Sequence, residues 1–351
     1  MKTIKVNELK GGEYLAKPIE DKNGKLMFYE GTCVHPVQIN RLIENNIEEV
    51  CIFDENLAEE KSREVIRREI QDDCKKKLKN VLGIYVGKEN ESLSEISETA
   101  NEIIDDVLNK EELTQKIYDI KVRNIDLYEH SVSVAALSVI TAVRMNLDRN
   151  LIYSIGVGSL LHDMGLKYVS VEYWNTDPMT YSPENLFEFK KHTIYGFSSI
   201  EKESWMSSSA KKIILFHHEK INGTGYPLKQ KNLPIEVKIV SVCDAFNDMI
   251  FGIGCKRCNV PEAIDRIINF KDQYYDGKVV DIFLEFVAKY PVGTKLVTSL
   301  GDTAVVVEQS DHFTDRPVIQ LICDKDGNNY SEGVKIKLAE KRSILIEKVI
   351  E

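Results

Sequence analysis

Five of the chain's seven histidines fall between positions 130 and 218, each at the edge of an apolar run. His130 opens SVSVAALSVITAV, and His162 stands directly before Asp163 at the end of SLL. His192 opens HTIYG, His217 and His218 close KKIILF, and Asp244 lies inside VKIVSVCDAF. Burying that many titratable groups one by one costs several kcal/mol each, whereas a metal cluster satisfies them together. Imidazole with carboxylate suits Fe, Mn, Zn or Ni better than Ca or Mg. Seven candidate donors exceed what one tetrahedral ion needs, which points to two ions sharing a carboxylate. Asp163 is the natural bridge, because His162 beside it lets one helix end serve both ions. Water held between two metals roughly 3.5–4 Å apart becomes hydroxide near neutral pH and attacks phosphorus in line. The donor set therefore predicts hydrolysis of a phosphate ester.

These residues need a helical frame, and the hydrophobic spacing supplies one. Three- and four-residue apolar steps predict helices over 126–146, 150–165, 184–204, 209–220, 234–252, 261–271 and 278–289. Asp148 and Ser182 are expected N-caps. Ahead of them, 56–81 and 92–120 also read as helical, and the lysine-rich run 75–79 as a solvated face. Residues 1–55 alternate short apolar runs with turns, including a hairpin signal at Asp21-Lys22-Asn23-Gly24 and a short helix over Val37–Glu44. After Tyr290-Pro291 the runs become strand-like, separated by Gly and Asp turns. The expected organisation is a small α/β module over 1–55, a helical domain over 56–290 and a small β-domain over 291–351.

The net charge of −10 argues against a nucleic-acid polymer as partner, since phosphate backbones are met by basic stripes. It leaves room for a small nucleotide whose charge is met by bound metal. Neither a signal-peptide pattern nor an apolar run long enough for a bilayer is present, so the expectation is a cytoplasmic protein off the membrane. Seven scattered cysteines, an odd number, fit reduced thiols. The single CxxC pair, Cys255 and Cys258, lacks the second pair that a zinc site usually needs. His35 and His312 are expected at the surface.

The ordered set His130, His162-Asp163, His192xxxGly196, HHE217–219, NGxGYP ending at Pro227, and Asp244 resembles the HD-GYP branch of the HD phosphohydrolases. The match covers roughly 120–290, with HHEKINGTGYP close to the branch's HHExxDGxGYP. The resemblance implies a mainly α fold, an HD-type helical bundle. It also implies hydrolysis of cyclic di-GMP to pGpG or GMP at two divalent ions, iron or manganese. By position, the implied ligands are His130, His162, Asp163, His192, His217, His218 and Asp244. Asp126, one helical turn before His130, occupies the place of the carboxylate that family members with three metals carry; as a helix-start acid it would equally suit the dipole.

Asn222, Gly225 and Tyr226 fall in the implied substrate loop. Its glycines allow close backbone approach, and the tyrosine offers a ring and a hydroxyl. The substrate side also departs from the family. Leu166 stands where the family has a lysine, with Lys167 one place on; Asp163 and Lys167 are the implied catalytic pair. Asn247 replaces an aspartate, with Asp248 beside it. The Arg-Pro-Tyr-Arg block is missing: Ile253 falls at its first arginine and Lys256 near its last basic position, with Arg257 adjacent. Each lost charge-assisted contact is worth about 1.5–3 kcal/mol. Three readings stay open: a cyclic di-GMP phosphodiesterase, a phosphodiesterase for another cyclic dinucleotide such as cyclic GMP-AMP, and a weakly active or inactive cyclic-dinucleotide receptor. A homodimer is compatible with each.

Overall fold

The computed structural model describes residues 2–9, 13, 15, 17, 19–20, 26–28, 34, 36–52, 63, 65–85, 95–108, 117–120, 125–328, 330 and 334–350. They form two compact units, Met1–Lys61 and Ser62–Glu351.

In the first unit, β1 (Lys2–Lys5), β2 (Ile19–Glu20) and β3 (Leu26–Phe28) precede α1 (Pro36–Glu44) and β4 (Glu49–Ile52). β1 pairs antiparallel with β4, and β2 with β3. Val6, Leu15, Val34, Leu42 and Val50 form its core. The strands on either side of the expected hairpin turn do pair. The turn itself and His35 lie outside the described residues.

The second unit is a helical body. Its helices are α2 (Arg68–Tyr85), α3 (Glu95–Leu108), α4 (Leu127–Arg144), α5 (Arg149–Leu161), α6 (Pro183–Lys190), α7 (His192–Ile200), α8 (Ser208–Phe216), α9 (Ile235–Phe251), α10 (Val260–Asn269) and α11 (Gly277–Leu284). α4 is the central rod. Val132, Val134, Leu137, Val139 and Ile140 are all buried on it, so apolar residues cover nearly its whole circumference, the pattern of a core helix. It packs on α5 and α9. Asp148 caps α5 by accepting the Leu151 N–H, and Ser182 caps α6 by accepting that of Asn185. Both caps stand where the sequence puts them. No helix among the described residues is long and apolar enough to cross a membrane. Cys255 and Cys258 are free thiols, and His312 is exposed.

Two expected helices are interrupted, and both breaks lie beside the histidines. The stretch 184–204 divides into α6 and α7 at Lys191. There the Phe189 carbonyl bonds the His192 ring (2.8 Å) and the Lys190 carbonyl accepts the Thr193 hydroxyl (3.3 Å). Side chains thus bond carbonyls that backbone N–H groups would otherwise hold. The stretch 150–165 stops at Leu161; His162 and Asp163 follow, then a 3₁₀ turn over Met164–Tyr168.

The chain ends in a sheet of β5 (Lys295–Thr298), β6 (Thr303–Glu308), β7 (Val318–Cys323), β8 (Lys335–Lys337) and β9 (Ile346–Ile350). Its order is β8-β7-β6-β5-β9, with antiparallel neighbours. It belongs to the same compact unit as the helices. A buried carboxylate ties three segments of this unit together. Asp119 accepts from Val292 N (2.7 Å), Gln309 Nε2 (2.7 Å) and Arg63 N (3.0 Å). Asp119→Ala strands those donors and is expected to destabilise the protein by about 2–4 kcal/mol. The check is the urea midpoint, which should fall; an unchanged midpoint would contradict the anchor.

Candidate metal centre

Five elements deliver the site. α4 supplies His130 one turn from its start. The end of α5 supplies His162 and Asp163. His192 is the first residue of α7, His217 and His218 follow α8, and Asp244 sits in the middle of α9. His130, His162, His192 and His217 are 0 % exposed, and Asp163 and Asp244 1 %. The structure therefore gathers all seven expected donors.

Glycines make the approach possible. A Cβ on Gly165 would lie 1.9 Å from the His192 carbonyl oxygen, and one on Gly196 would meet Ile214 at 3.1 Å and Gly165 N at 3.4 Å. These contacts press the Asp163 turn against α7, which accounts for the spacing His192xxxGly196. A Cβ on Gly225 would lie 2.5 Å from Glu219 Cα, from the His218 carbonyl oxygen and from Lys220 N, so the NGTGYP loop folds directly onto the histidine pair. Glu219, fully buried, fixes the far side of that loop by accepting Leu228 N (2.6 Å) and Gln230 N (3.1 Å).

The donors form two groups that meet at one carboxylate. Asp163 Oδ1 faces His192 Nε2 (3.5 Å) and His217 Nε2 (3.6 Å). Its Oδ2 faces the Nε2 atoms of His130 and His162, each at 3.5 Å. Asp244 Oδ1 joins the second group, 3.0 Å from His162 Nε2 and 3.4 Å from His130 Nε2. His218 joins the first, and its Nδ1 lies 3.7 Å from Asp244 Oδ2.

Several observations fit divalent ions at these positions. His130 and His162 bring their Nε2 atoms within 3.1 Å, and His192 and His217 theirs within 3.3 Å. Two nitrogens each about 2.1 Å from one ion and near a right angle lie about 3 Å apart. The outward Nδ1 atoms of His162, His192 and His217 each reach backbone carbonyls, of Ser159 (2.6 Å), Phe189 (2.8 Å) and Ile214 (3.0 Å). That places the proton on Nδ1 and leaves the Nε2 lone pair free for a metal. Asp163 Oδ1 and Asp244 Oδ2 are buried without a hydrogen-bond partner. Buried carboxylate oxygens are rarely left so unless an ion completes them.

Charges divide the site. Burial pushes Asp163 and Asp244 up, but the surrounding imidazoles outweigh it and hold both carboxyls well below the usual range. Burial pulls His130 down, yet Asp163 and Asp244 raise it on balance to about 9. His192 drops to about 4, chiefly through burial, and His218 falls well below its ordinary value for the same reason.

Other expected residues are placed differently. Asp126 is absent from both groups. Its Oδ1 accepts the Tyr128 and Glu129 N–H groups (3.0 and 2.9 Å), and its Oδ2 pairs with Lys75, which also holds Glu129. It is the cap of α4, and Lys75 is drawn in from the expected solvated face. The third carboxylate of the cluster is Asp248, grouped with His218 and Asp244. Burial and the Asp244 and Asp163 carboxylates push it well above the ordinary range. Asp248 lies one turn beyond Asp244, so the four-residue step was the signal that could have found it. Lys167 Nζ belongs to neither group; it donates to the Leu82 carbonyl (2.7 Å) and lies 5.5 Å from the centre of the Tyr128 ring. Leu166 is 1 % exposed within the apolar core and offers no cation to a phosphate.

On the substrate side, Tyr226 stacks on His218, with ring centroids 4.8 Å apart. Burial, reinforced by Asp248, raises its hydroxyl well above the ordinary value and keeps it a donor. Asn222 is exposed and bonds Thr224 N and Oγ1 inside its own turn. Asn247 is fully buried and donates to Ser133 Oγ (2.8 Å). Ile253 is buried, and Lys256 is exposed.

A helical body with a buried His/Asp centre of this kind defines a metal-binding helical domain. Residues 113–279 match the family described as HD domain, and 299–351 the KOW domain associated with HD domain. Residues 113–279, a little under half of the chain, are thus similar to the HD-domain family. It is 29% identical over 221 residues to a cyclic di-GMP phosphodiesterase of Pseudomonas aeruginosa, covering 61% of this chain and 52% of that protein. It is 30% identical over 167 residues to one of Thermotoga maritima, covering 46% and 45%. The chain thus spans about half the length of these curated relatives. An HDG"Y"P protein from Bdellovibrio bacteriovorus shares the fold, with a TM-score of 0.51 at 20% identity over 80% of this chain and 97% of that one.

An ion taken up by His130 displaces the proton that Asp163 and Asp244 favour there, at about 9. Below about pH 9 that displaced proton makes affinity rise with pH, by up to about tenfold per unit. Manganese titration by calorimetry is expected to show at least about tenfold tighter binding at about pH 8.5 than at about pH 7. Equal affinity at both values would contradict the assigned protonation.

Proposed function

We propose that the chain is a metal-dependent phosphodiesterase that hydrolyses a cyclic dinucleotide, with cyclic di-GMP as the first substrate and pGpG or GMP as product. The observation that carries this reading is Asp163, whose two oxygens each face a separate histidine group inside an HD domain. In this reading His192, His217 and His218 would hold one ion, His130, His162 and Asp244 would hold another, and Asp163 would serve both. Iron or manganese suits the donors. His218, Asp244 and Asp248 offer a place for a third. When bound, the ions acidify water and neutralise the phosphoryl oxygens.

The chain's own residues do the rest. The Nδ1 bonds to Ser159, Phe189 and Ile214 carbonyls orient the rings before any ion arrives. Gly225 lets the loop backbone approach, and the Tyr226 phenol, kept protonated, donates to an anionic oxygen. Asn222 shapes the loop from within. Lys167, committed to Leu82, is left out of the chemistry. We take the N-terminal unit as a regulatory module. A second reading, another cyclic dinucleotide such as cyclic GMP-AMP, is favoured by the core positions of Leu166 and Ile253, which alter the usual cation set.

The test is chromatographic turnover of cyclic di-GMP and cyclic GMP-AMP by anaerobically purified, manganese- or iron-loaded protein, with metal content measured alongside. Each ion supplies several kcal/mol, so Asp163→Asn should lower turnover by about a thousandfold or more and reduce the bound metal. Full metal with no turnover of either dinucleotide by the unaltered protein overturns the reading in favour of a receptor.

A further inference from the structure

A cyclic dinucleotide carries two phosphodiesters, and the converging donors can engage one of them at a time. The other, and the negative charge spread over both, calls for cations at the rim. The positions where the related pattern places such cations are closed. Leu166 and Ile253 are 1 % and 4 % exposed inside the apolar core. The basic residues beside them are committed elsewhere, Lys167 Nζ to the Leu82 carbonyl and Arg257 Nε to the Ile250 carbonyl (2.9 Å). Lys75 and Lys191 are paired with carboxylates.

Two further ammonium groups stand next to metal-facing histidines in the sequence. Lys190, two residues before His192, lies 5.3 Å from the centre of the Tyr226 ring, and that ring stacks on His218. Lys220, two residues after His218, lies 4.5 Å from the centre of the Tyr275 ring and 3.4 Å from its hydroxyl. Neither forms an ion pair among the described residues, and both are half-buried. Aromatic faces hold these ammoniums in place and strip part of their water without neutralising them. Their charge remains available to an anion.

We propose that Lys190 and Lys220 hold the anionic groups of the substrate at the rim of the metal centre, in place of the cations absent at 166 and 253. This rests on the phosphodiesterase reading and names its specificity-determining residues. Because both lysines grip phosphate that is charged before and during reaction, they contribute to ground-state and transition-state binding alike, so their loss acts on KM more than on kcat.

The experiment compares Lys190→Met, Lys220→Met and Lys256→Met in the manganese-loaded 351-residue protein. Methionine keeps the apolar stem over the ring and removes the charge. Steady-state kinetics on cyclic di-GMP and cyclic GMP-AMP are joined by metal content and by calorimetric binding of pGpG. For Lys190→Met and Lys220→Met, KM and the pGpG dissociation constant should each rise about tenfold or more, with kcat within about threefold and metal content unchanged. Lys190→Arg and Lys220→Arg should recover most of the loss. Unchanged KM in both methionine variants, a rise confined to Lys256→Met, or metal loss that arginine does not repair would each overturn the inference. Unaltered protein that neither binds nor cleaves either cyclic dinucleotide overturns the functional reading, and the inference with it.

Discussion

The Asp163 carboxylate is the constraint around which the helical unit is arranged. Its Oδ1 points at His192 and His217, and its Oδ2 at His130 and His162. Five histidines and three aspartates in one largely buried cluster would be a severe burden for a fold held by apolar packing alone. Asp163 and Asp244 offset part of that burden by raising His130 to about 9. Divalent ions answer it more completely, because they satisfy carboxylate oxygens that have no hydrogen-bond partner. Metal binding and stability are therefore linked: an ion that binds the folded state and not the unfolded chain stabilises the protein by mass action.

The frame around that carboxylate is built from interruptions. α5 ends so that His162 and Asp163 can turn inward, and α6 gives way to α7 so that His192 can begin a new helix. Gly165 and Gly196 let those two interruptions touch. Glu219 secures the outer loop through two backbone N–H groups and so holds Tyr226 over His218. Five of the seven donors sit where helices start or stop, while His130 and Asp244 project from within α4 and α9.

Much of this was legible in the sequence. The apolar periodicity located α4, α5 and α9, and the caps Asp148 and Ser182 are where short polar side chains precede apolar runs. The histidines at helix edges, with Asp163 beside His162, pointed to a shared carboxylate. The misses have physical causes. Periodicity does not see a helix interrupted at Lys191 by side chains bonding its carbonyls. Asp126 had the right spacing from His130 but sits at a helix start, where backbone N–H groups claim its oxygen. Asp248, not Asn247, joins the cluster, because the four-residue step from Asp244 is the one that shares a helix face. The direction of Lys167 and the burial of Leu166 depend on the 3₁₀ turn, which no spacing rule predicted.

Two ions sharing the Asp163 carboxylate would be visible by anomalous scattering from crystals of the manganese-loaded protein. Two peaks about 3.5–4 Å apart, one on each side of the Asp163 carboxylate, are expected. A single peak, or two peaks that do not both contact Asp163, would contradict that sharing.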